Sequence, residues 1–140
     1  MIAVDSGFLY ALADAGDAWH RRAVAQLPSV AEGWVSTWPV MAEACHLLQA
    51  RLGTRFAVAL MDDVAAGMIE LWQPSGAVLM RIPELMRKYA GLPMDLADAS
   101  LVLLAEHLDH GRILSTDERD FGSYRWKRRK PFHNLMEATR

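Results

Sequence analysis

Short apolar runs alternate with longer stretches of helical periodicity along the chain. Apolar runs that end at a polar residue or a glycine predict buried strands, and they lie at 2–4, 34–36, 68–72 and 112–114, with a short fifth run at 124–126. The stretches between them predict helices at 7–13, 18–27, 38–52, 55–66, 75–89 and 95–108. Because strands that alternate with helices form mostly parallel sheets flanked by helices, the pattern predicts an α/β fold.

Residues with strong conformational preferences mark the ends of these helices. Thr37 is a good N-cap, and Pro39 falls in the first turn after it, where its missing N–H costs little. Gly53 is expected to end the same helix. Pro28 is expected to end the helix at 18–27, and Pro83 to weaken the helix at 75–89.

The composition excludes several classes of protein. A chain of 140 residues has the usual size of one domain, so a single domain over 1–140 is expected. With 52% hydrophobic residues and a net charge of −2, the chain can form a core, and any attraction for a polyanion must come from a local patch. One cysteine, Cys45, excludes a disulfide framework. No membrane-spanning run or secretory signal is visible, so a cytoplasmic protein without membrane contact is expected.

Four acidic residues lie beside or inside apolar elements, where a carboxylate is out of place. They are Asp5, Glu43, Asp98 and Asp117. An ionised carboxylate in apolar surroundings is costly unless another group pairs with it. Several carboxylates brought together repel one another and raise their pKa values unless a cation neutralises them. If the fold gathers these residues, we expect a divalent metal ion among them.

The predicted layout allows the four acids to meet at one edge of the sheet. Asp5 follows the first strand, and Asp117 follows the fourth. Glu43 lies two turns into the helix after the second strand, and Asp98 lies in the first turn of the helix that leads to the fourth. Ligands of open α/β sheets bind beyond the carboxyl ends of the strands. This edge is therefore the candidate site.

Two of these acids have simple structural alternatives. Asp5 can cap the helix that follows it. Glu43 can be a surface residue whose charged end reaches water. The neighbours of Glu43 on its own helical face are mostly apolar, which favours an inward position.

The other two acids can serve as helix caps. Asp95 and Asp98 have capping-box spacing, with Asp95 as the N-cap. Apolar residues follow on the face of Asp98, which points its side chain inward, so capping by Asp95 and binding by Asp98 are compatible. Asp117 and Asp120 can cap a helical turn at 118–122. Asp95 and Asp120 are therefore secondary candidates for the site.

A run of positive charge near the C-terminal end is the second candidate feature. Five cationic side chains surround one tryptophan in six residues, and they are Arg125, Lys127, Arg128, Arg129 and Lys130. Basic residues interleaved with an aromatic ring are typical of a surface that contacts nucleic-acid phosphates. The alternative is a solvated turn.

The acidic segments resemble those of the PIN domain family, and within it the VapC-type ribonuclease toxins of bacterial toxin–antitoxin modules. The matching segments are distributed over nearly the whole chain and lie at 4–9, 17–23, 36–43, 98–105 and 113–121. Each segment is short, and the specificity of the resemblance lies in their order and spacing.

The resemblance implies a three-layer αβα sandwich around a mostly parallel sheet of about four or five strands. It implies an endoribonuclease that depends on Mg²⁺ or Mn²⁺, with an acidic cluster of catalytic and metal-binding residues on Asp5, Glu43, Asp98 and Asp117. It further implies a homodimer and a cognate antitoxin protein that blocks the site.

Hard-cation chemistry then indicates a mechanism. Mg²⁺ prefers oxygen ligands and keeps several waters, so a few carboxylates suffice. A metal-activated water would attack the phosphodiester in line, and the product would carry a 5′-phosphate. Sequence-specific recognition of RNA usually targets unpaired loops, so a structured RNA with an exposed loop is the expected substrate.

Other functions remain open at this point. A PIN-like fold can be a catalytically silent interaction module that binds RNA or a partner protein. An aspartate-based phosphatase of the haloacid-dehalogenase type needs a second aspartate two residues after the first, where this chain has Gly7. A receiver domain needs an acidic pair and a late lysine, and neither is apparent. A metal-free ribonuclease that uses histidine would leave a 2′,3′-cyclic phosphate.

Overall fold

The computed structural model describes residues 1–137. In that range the strands are β1 (Ile2–Val4), β2 (Trp34–Thr37), β3 (Ile69–Trp72), β4 (Arg112–Leu114), β5 (Arg125–Trp126), β6 (Lys130–Pro131) and β7 (His133–Asn134). The α-helices are α1 (Ser6–Ala13), α2 (His20–Ala25), α3 (Trp38–Arg51), α4 (Thr54–Ala65), α5 (Arg81–Lys88), α6 (Leu96–Leu108) and α7 (Glu118–Ser123). Two 3₁₀ segments, Leu27–Glu32 and Gly76–Met80, complete the order. None of these helices has the length and apolarity to cross a membrane.

Five strands form one parallel sheet in the order β3-β2-β1-β4-β7. Ala3 of β1 is in register with Val35 on one side and Ile113 on the other. Because crossovers between parallel strands are right-handed, the helices between β1 and β3 cover one face, and those between β3 and β4 cover the other. The predicted α/β class and the three-layer αβα sandwich with about five mostly parallel strands are confirmed.

The strand order reverses between β1 and β4. From β1 the chain adds β2 and then β3 on one side, and it then returns to place β4 on the other side of β1. Such a reversal opens a crevice beyond the carboxyl ends of the two strands, where α/β proteins bind ligands. Both strands are buried in the core, and Val4 and Leu114 at their carboxyl ends are fully buried. The residues that follow these two strands therefore enter the crevice.

Helix α6 is the most buried helix of the fold. Its apolar residues pack in the core from Ala97 to Ala105. A capping box fixes its start, because the Asp98 N–H donates to Asp95 Oδ1 at 2.8 Å and the Asp95 N–H lies 3.5 Å from Asp98 Oδ2. A buried hydrogen bond of 2.7 Å joins Ser100 of α6 to Thr37 at the end of β2. The prediction of a capping box is confirmed, and α6 has a fixed position on the sheet.

The strand predicted at 124–126 exists, but it does not belong to the main sheet. Arg125–Trp126 pairs antiparallel with Lys130–Pro131 in a separate two-stranded ribbon. Lys127 and Arg128 have positive φ angles of 45° and 70°, which give the tight reversal of a β-hairpin. The fifth strand of the sheet is β7, which pairs with β4. A strand of two residues, such as β7, is too short for sequence periodicity to predict.

Two predicted helices have different bounds in the structure. The helix predicted at 18–27 is α2, which ends at Ala25, before Pro28, and a 3₁₀ segment that contains Pro28 follows it. The helix predicted at 75–89 breaks near Met80, before Pro83 rather than at it. Pro83 lies in the first turn of α5, where backbone N–H groups have no partner within the helix, so its ring does not interrupt the helix.

The hairpin β5–β6 packs against the amino end of β4. A Cβ added at Gly111 would lie 2.5 Å from Trp126 Nε1 and 2.9 Å from the Pro131 carbonyl oxygen, so only glycine permits this approach. The His133 N–H donates to the Gly111 carbonyl at 2.7 Å. The hairpin is thereby fixed at the edge of the sheet opposite to the crevice.

Candidate active site

The structure brings the four predicted acids to the crevice between β1 and β4. Asp5 follows β1 and caps α1, and Asp117 follows β4 and caps α7. Asp98 lies in the first turn of α6, and Glu43 lies in the second turn of α3. A side chain at Gly7 would collide with Thr116, so α1 packs directly on the loop after β4. This contact brings the segments of Asp5 and Asp117 together.

Ser6 connects Asp5 to Glu43. Its hydroxyl donates to Glu43 Oε1 at 2.6 Å and lies 3.4 Å from Asp5 Oδ1. The Ser6 N–H donates to the same Asp5 oxygen at 2.7 Å. A hydroxyl carries a single proton, so the short bond goes to Glu43 and the amide holds Asp5. One residue therefore orients both carboxylates.

Ser115 connects Asp5 to Asp117. Its hydroxyl donates to Asp5 Oδ2 at 2.9 Å and accepts the N–H of Asp117 at 3.0 Å. Asn134 of β7 accepts the Ser115 N–H at 3.2 Å and donates to its carbonyl at 2.9 Å. Strand β7 therefore fixes the loop that carries Asp117.

Tyr124 holds the fourth acid. Its hydroxyl donates to Asp98 Oδ2 at 2.9 Å, and its side chain is fully buried. Burial and the charge of Asp98 raise the pKa of Tyr124 above its usual range, so the hydroxyl stays protonated and remains a donor. The sequence pattern does not indicate roles for Ser6, Ser115, Asn134 or Tyr124. The position of Ser6 directly after Asp5 is the one local signal for such a role.

The site is a cluster of negative charge that is only partly offset, by Arg119 beside Asp117. Among residues 1–137, none of the ion pairs includes Asp5, Glu43, Asp98 or Asp117. Burial raises the pKa of Asp5, which is 6% exposed, to about 6, and the charges of Glu43 and Asp117 act in the same direction. Burial, with the charges of Asp95 and Asp5, raises the pKa of Asp98 to about 7. Burial also raises the pKa of Asp117.

The donor set fits a hard dication. The four carboxylates and the hydroxyl groups that donate to them offer oxygen, which suits Mg²⁺ or Mn²⁺. Among residues 1–137, no thiol or imidazole hydrogen-bonds to these carboxylates, and those are the groups that zinc prefers. Within the described chain, no three His, Cys, Asp or Glu side chains lie close enough together to hold a metal ion between them. Mg²⁺ usually keeps several waters and uses one or two carboxylates, so the looser grouping is compatible with it.

Asp95 and Asp120, the secondary candidates, have structural roles at the rim of the acidic cluster. Asp95 is exposed and caps α6. Asp120 is buried, its N–H donates to Asp117 Oδ1 at 3.1 Å, and its own Oδ1 lies 3.4 Å from Arg119 Nε. The side chain of Arg119 is 76% exposed, which makes it a candidate phosphate contact at the rim that the sequence did not indicate.

The basic run lies away from the acids, in the hairpin β5–β6. Lys127 Nζ pairs with Asp109 at 2.5 Å, and the Lys127 N–H donates to Glu106 at 2.6 Å. Glu106 is eight residues beyond Asp98 on α6, or about 12 Å along the helix. Arg128 pairs with Glu84 at 2.8 Å. Contact of this run with RNA stays a prediction. Such a contact would involve nucleotides that are distant from any nucleotide at the acidic residues.

Metal-free protein is expected to be more stable at pH 5 than at pH 7.5. The folded state raises the pKa of Asp5 from an ordinary 3.8 to about 6, so it binds more protons than the unfolded state between these values. Stability therefore falls as pH rises through this window, at about 1.4 kcal/mol per unit of pKa shift. Urea unfolding in the presence of a chelator, at several pH values, measures this change in the free energy of unfolding.

Asp5→Asn is the control for this prediction. It should raise the stability of the metal-free protein at pH 7.5 and flatten the pH dependence, and added Mn²⁺ should flatten the dependence of the unsubstituted protein. If stability in chelator rises steadily from pH 5 to 7.5, the acids do not carry the cost of burial and like charge described here.

Comparisons with known proteins agree with this architecture. The sequence matches the PIN domain family model over residues 2–127. Ribonuclease VapC26 of Mycobacterium tuberculosis is 29% identical over 122 residues, which cover 87% of this chain and 90% of that protein.

A crystal structure shares the fold. It is that of VapC20 from Mycobacterium tuberculosis, a toxin that cleaves the sarcin–ricin loop, with a TM-score of 0.77 and 22% identity over 85% of this chain and 92% of that one. At this level of identity the likeness concerns the fold alone. The family match covers both strands that flank the crevice and the four acids within it, and the chain therefore belongs to the PIN domain family.

Proposed function

We propose that this chain is an Mg²⁺- or Mn²⁺-dependent endoribonuclease and the toxin of a VapBC-type toxin–antitoxin pair. The observation that carries the proposal is the acidic cluster at the switch point of the sheet, where hydroxyl groups orient the carboxylates and, among residues 1–137, none of the four acids forms an ion pair with a cationic side chain. Membership of the PIN domain family and the likeness to a protein named as a VapC ribonuclease support it.

Asp5 and Asp98 would hold the ion, with Glu43 and Asp117 around it. When bound, Mg²⁺ or Mn²⁺ supplies a Lewis acid for the phosphoryl oxygens and lowers the pKa of a coordinated water. Asp5 is nearly buried, whereas Asp98, Glu43 and Asp117 are half-buried and open to the crevice. The burial of Asp5 suits a direct ligand, and the openness of Glu43 and Asp117 suits groups that orient water.

The protein's own groups prepare this chemistry. Ser6 and Ser115 fix the carboxylate planes before substrate arrives, so little reorganisation is needed during the reaction. The carboxylates of Glu43 and Asp117 can accept hydrogen bonds from the attacking water and keep it in line with the phosphodiester. Because water rather than the ribose 2′-OH attacks, the products carry a 5′-phosphate and a 3′-hydroxyl.

The expected substrate is a structured RNA with an exposed loop. Unpaired bases can be turned outward and brought to a crevice, whereas a continuous duplex presents mainly its backbone. Cleavage of the sarcin–ricin loop by VapC20 is consistent with this class of substrate. We further propose that residues 1–140 form a single domain of a cytoplasmic homodimer, and that a cognate antitoxin protein blocks the crevice.

Cleavage of RNA should require both the metal ion and Asp98. Asp98→Asn removes one ligand charge while keeping the side-chain shape, so we expect a loss of more than about 100-fold in the cleavage rate. Excess chelator should abolish cleavage, and Mn²⁺ or Mg²⁺ should restore it. Gel assays with end-group analysis measure both the rate and the product ends.

Asp62→Asn is the matched control, since Asp62 is an exposed acid of α4 outside the crevice. It should cleave at the unsubstituted rate. Products with a 2′,3′-cyclic phosphate, or full activity of Asp98→Asn in chelator, would contradict the metal mechanism. RNA binding without cleavage, whichever divalent ion is added, would instead favour the catalytically silent interaction module.

Arg119 is expected to contribute more to RNA binding than the basic run does. Its exposed guanidinium lies beside Asp117 and Asp120 at the rim of the acids. In chelator, Arg119→Ala should weaken RNA binding and reduce the slope of log affinity against log salt by about 1.

The comparison is the double substitution Arg129→Ala with Lys130→Ala, two exposed cations of the hairpin. Its effect on RNA affinity should be smaller than that of Arg119→Ala in the same fluorescence anisotropy assay. The reverse order would place the main phosphate contact in the hairpin, as the sequence pattern predicts.

A further inference from the structure

We infer that Tyr124 is a positioning residue of the acidic site, whose hydroxyl holds the Asp98 carboxylate in the orientation that binds the metal ion. The inference rests on the proposed metal dependence and adds to it a residue outside the acidic cluster. It also gives the segment that follows α7 a function in the site.

The hydroxyl of Tyr124 is the strong donor to Asp98. It donates to Oδ2 at 2.9 Å, whereas the Asp95 N–H reaches the same oxygen only at 3.5 Å. Among residues 1–137, no hydrogen bond reaches Asp98 Oδ1. A donor on one oxygen fixes the plane of the carboxylate and leaves the other oxygen available as a ligand.

The ring of Tyr124 cannot turn away from this position. It is fully buried and makes edge-to-face contacts with Tyr89 at 5.0 Å and with Phe121 at 5.2 Å between ring centroids. Interlocked aromatic rings hold each other in place, and a buried phenol hydroxyl needs a hydrogen-bond partner. The packing therefore directs the hydroxyl to Asp98.

The backbone after Tyr124 is anchored along α6. The Lys127 N–H donates to Glu106 of α6 at 2.6 Å. Tyr124 thus contacts the start of α6, and the hairpin contacts its end. Because α6 is fixed at both ends, Asp98 keeps a constant position in the crevice.

Hydrogen bonds to metal-binding carboxylates have measurable effects on affinity. Removal of a group that orients a metal ligand in this way typically lowers metal affinity or activity by about 10–100-fold. We expect an effect of about that size here. A hydroxyl that merely fills space in the core would change stability instead and leave the affinity of the folded protein for the ion unchanged. The two roles can therefore be separated.

The experiment compares Tyr124→Phe with Tyr89→Phe. Both remove one hydroxyl from the same aromatic cluster and keep the ring, but the hydroxyl of Tyr89 has no contact with an acid among the described residues. Calorimetric titration of the RNA-free protein with Mn²⁺ should show roughly 10–100-fold weaker binding for Tyr124→Phe. Tyr89→Phe should bind like the unsubstituted protein.

A second readout concerns the reaction and the substrate. The Mn²⁺ concentration for half-maximal cleavage should rise in Tyr124→Phe, while RNA affinity in chelator should stay unchanged. If Tyr124→Phe does not fold, Phe121→Leu tests the same geometry, because it loosens the packing of the Tyr124 ring and should weaken Mn²⁺ binding.

The outcomes separate this inference from the proposed function. Mn²⁺ binding by the unsubstituted protein with equal affinity in Tyr124→Phe overturns the positioning role alone. Equal weakening in both tyrosine variants overturns it too, because the effect would then come from packing. No Mn²⁺ binding by the unsubstituted protein overturns the metal-dependent function and the positioning role together.

Discussion

The burial of several carboxylates at the carboxyl ends of β1 and β4, with the repulsion among them added, is the constraint on which the site depends. Parallel strands with a reversal of order bring Asp5 and Asp117 to one crevice, and helices α3 and α6 add Glu43 and Asp98. Three helix N-termini, those of α1, α6 and α7, begin at this point. Their positive dipole ends offset part of the repulsion and leave a net negative crevice.

Neutral hydroxyl groups hold the acids where cations would neutralise them. Lys and Arg side chains elsewhere pair with other acids, and the nearest of these pairs joins Arg119 to Asp120 at the rim. Ser6, Ser115 and Tyr124 orient the carboxylates through donated hydrogen bonds and leave their charge intact. The fold thus keeps an electrostatic penalty that an added dication can remove, as expected of a site that exchanges stability for function.

The sequence predicts those parts of the molecule that depend on local pattern. The strand of Val4 and the cap at Thr37 follow from runs of apolar residues and from local chemistry, and so does the position of Asp5 after its strand. The hydroxyl partners could not be predicted in this way, because Ser6 meets Glu43 across 37 positions and Ser115 meets Asp5 across 110. Serine is common on every surface, and only the fold selects these two.

The C-terminal segment shows the same limit. The charges of the run at 125–130 are evident in the sequence, but the reversal at Lys127 and Arg128 depends on backbone angles that these residues rarely adopt. The approach of Gly111 to Trp126 then decides on which edge of the sheet the run lies. Charge pattern alone could not place it.

Proton release on metal binding tests the central claim most directly. Calorimetric titration of RNA-free protein with Mn²⁺ at pH 6.5, in two buffers of different ionisation enthalpy, counts the protons displaced. The raised pKa values of Asp5 and Asp98 predict release of about one proton per ion bound, since a dication and a proton compete for the same carboxylates. Binding without proton release, or no binding, would contradict the account.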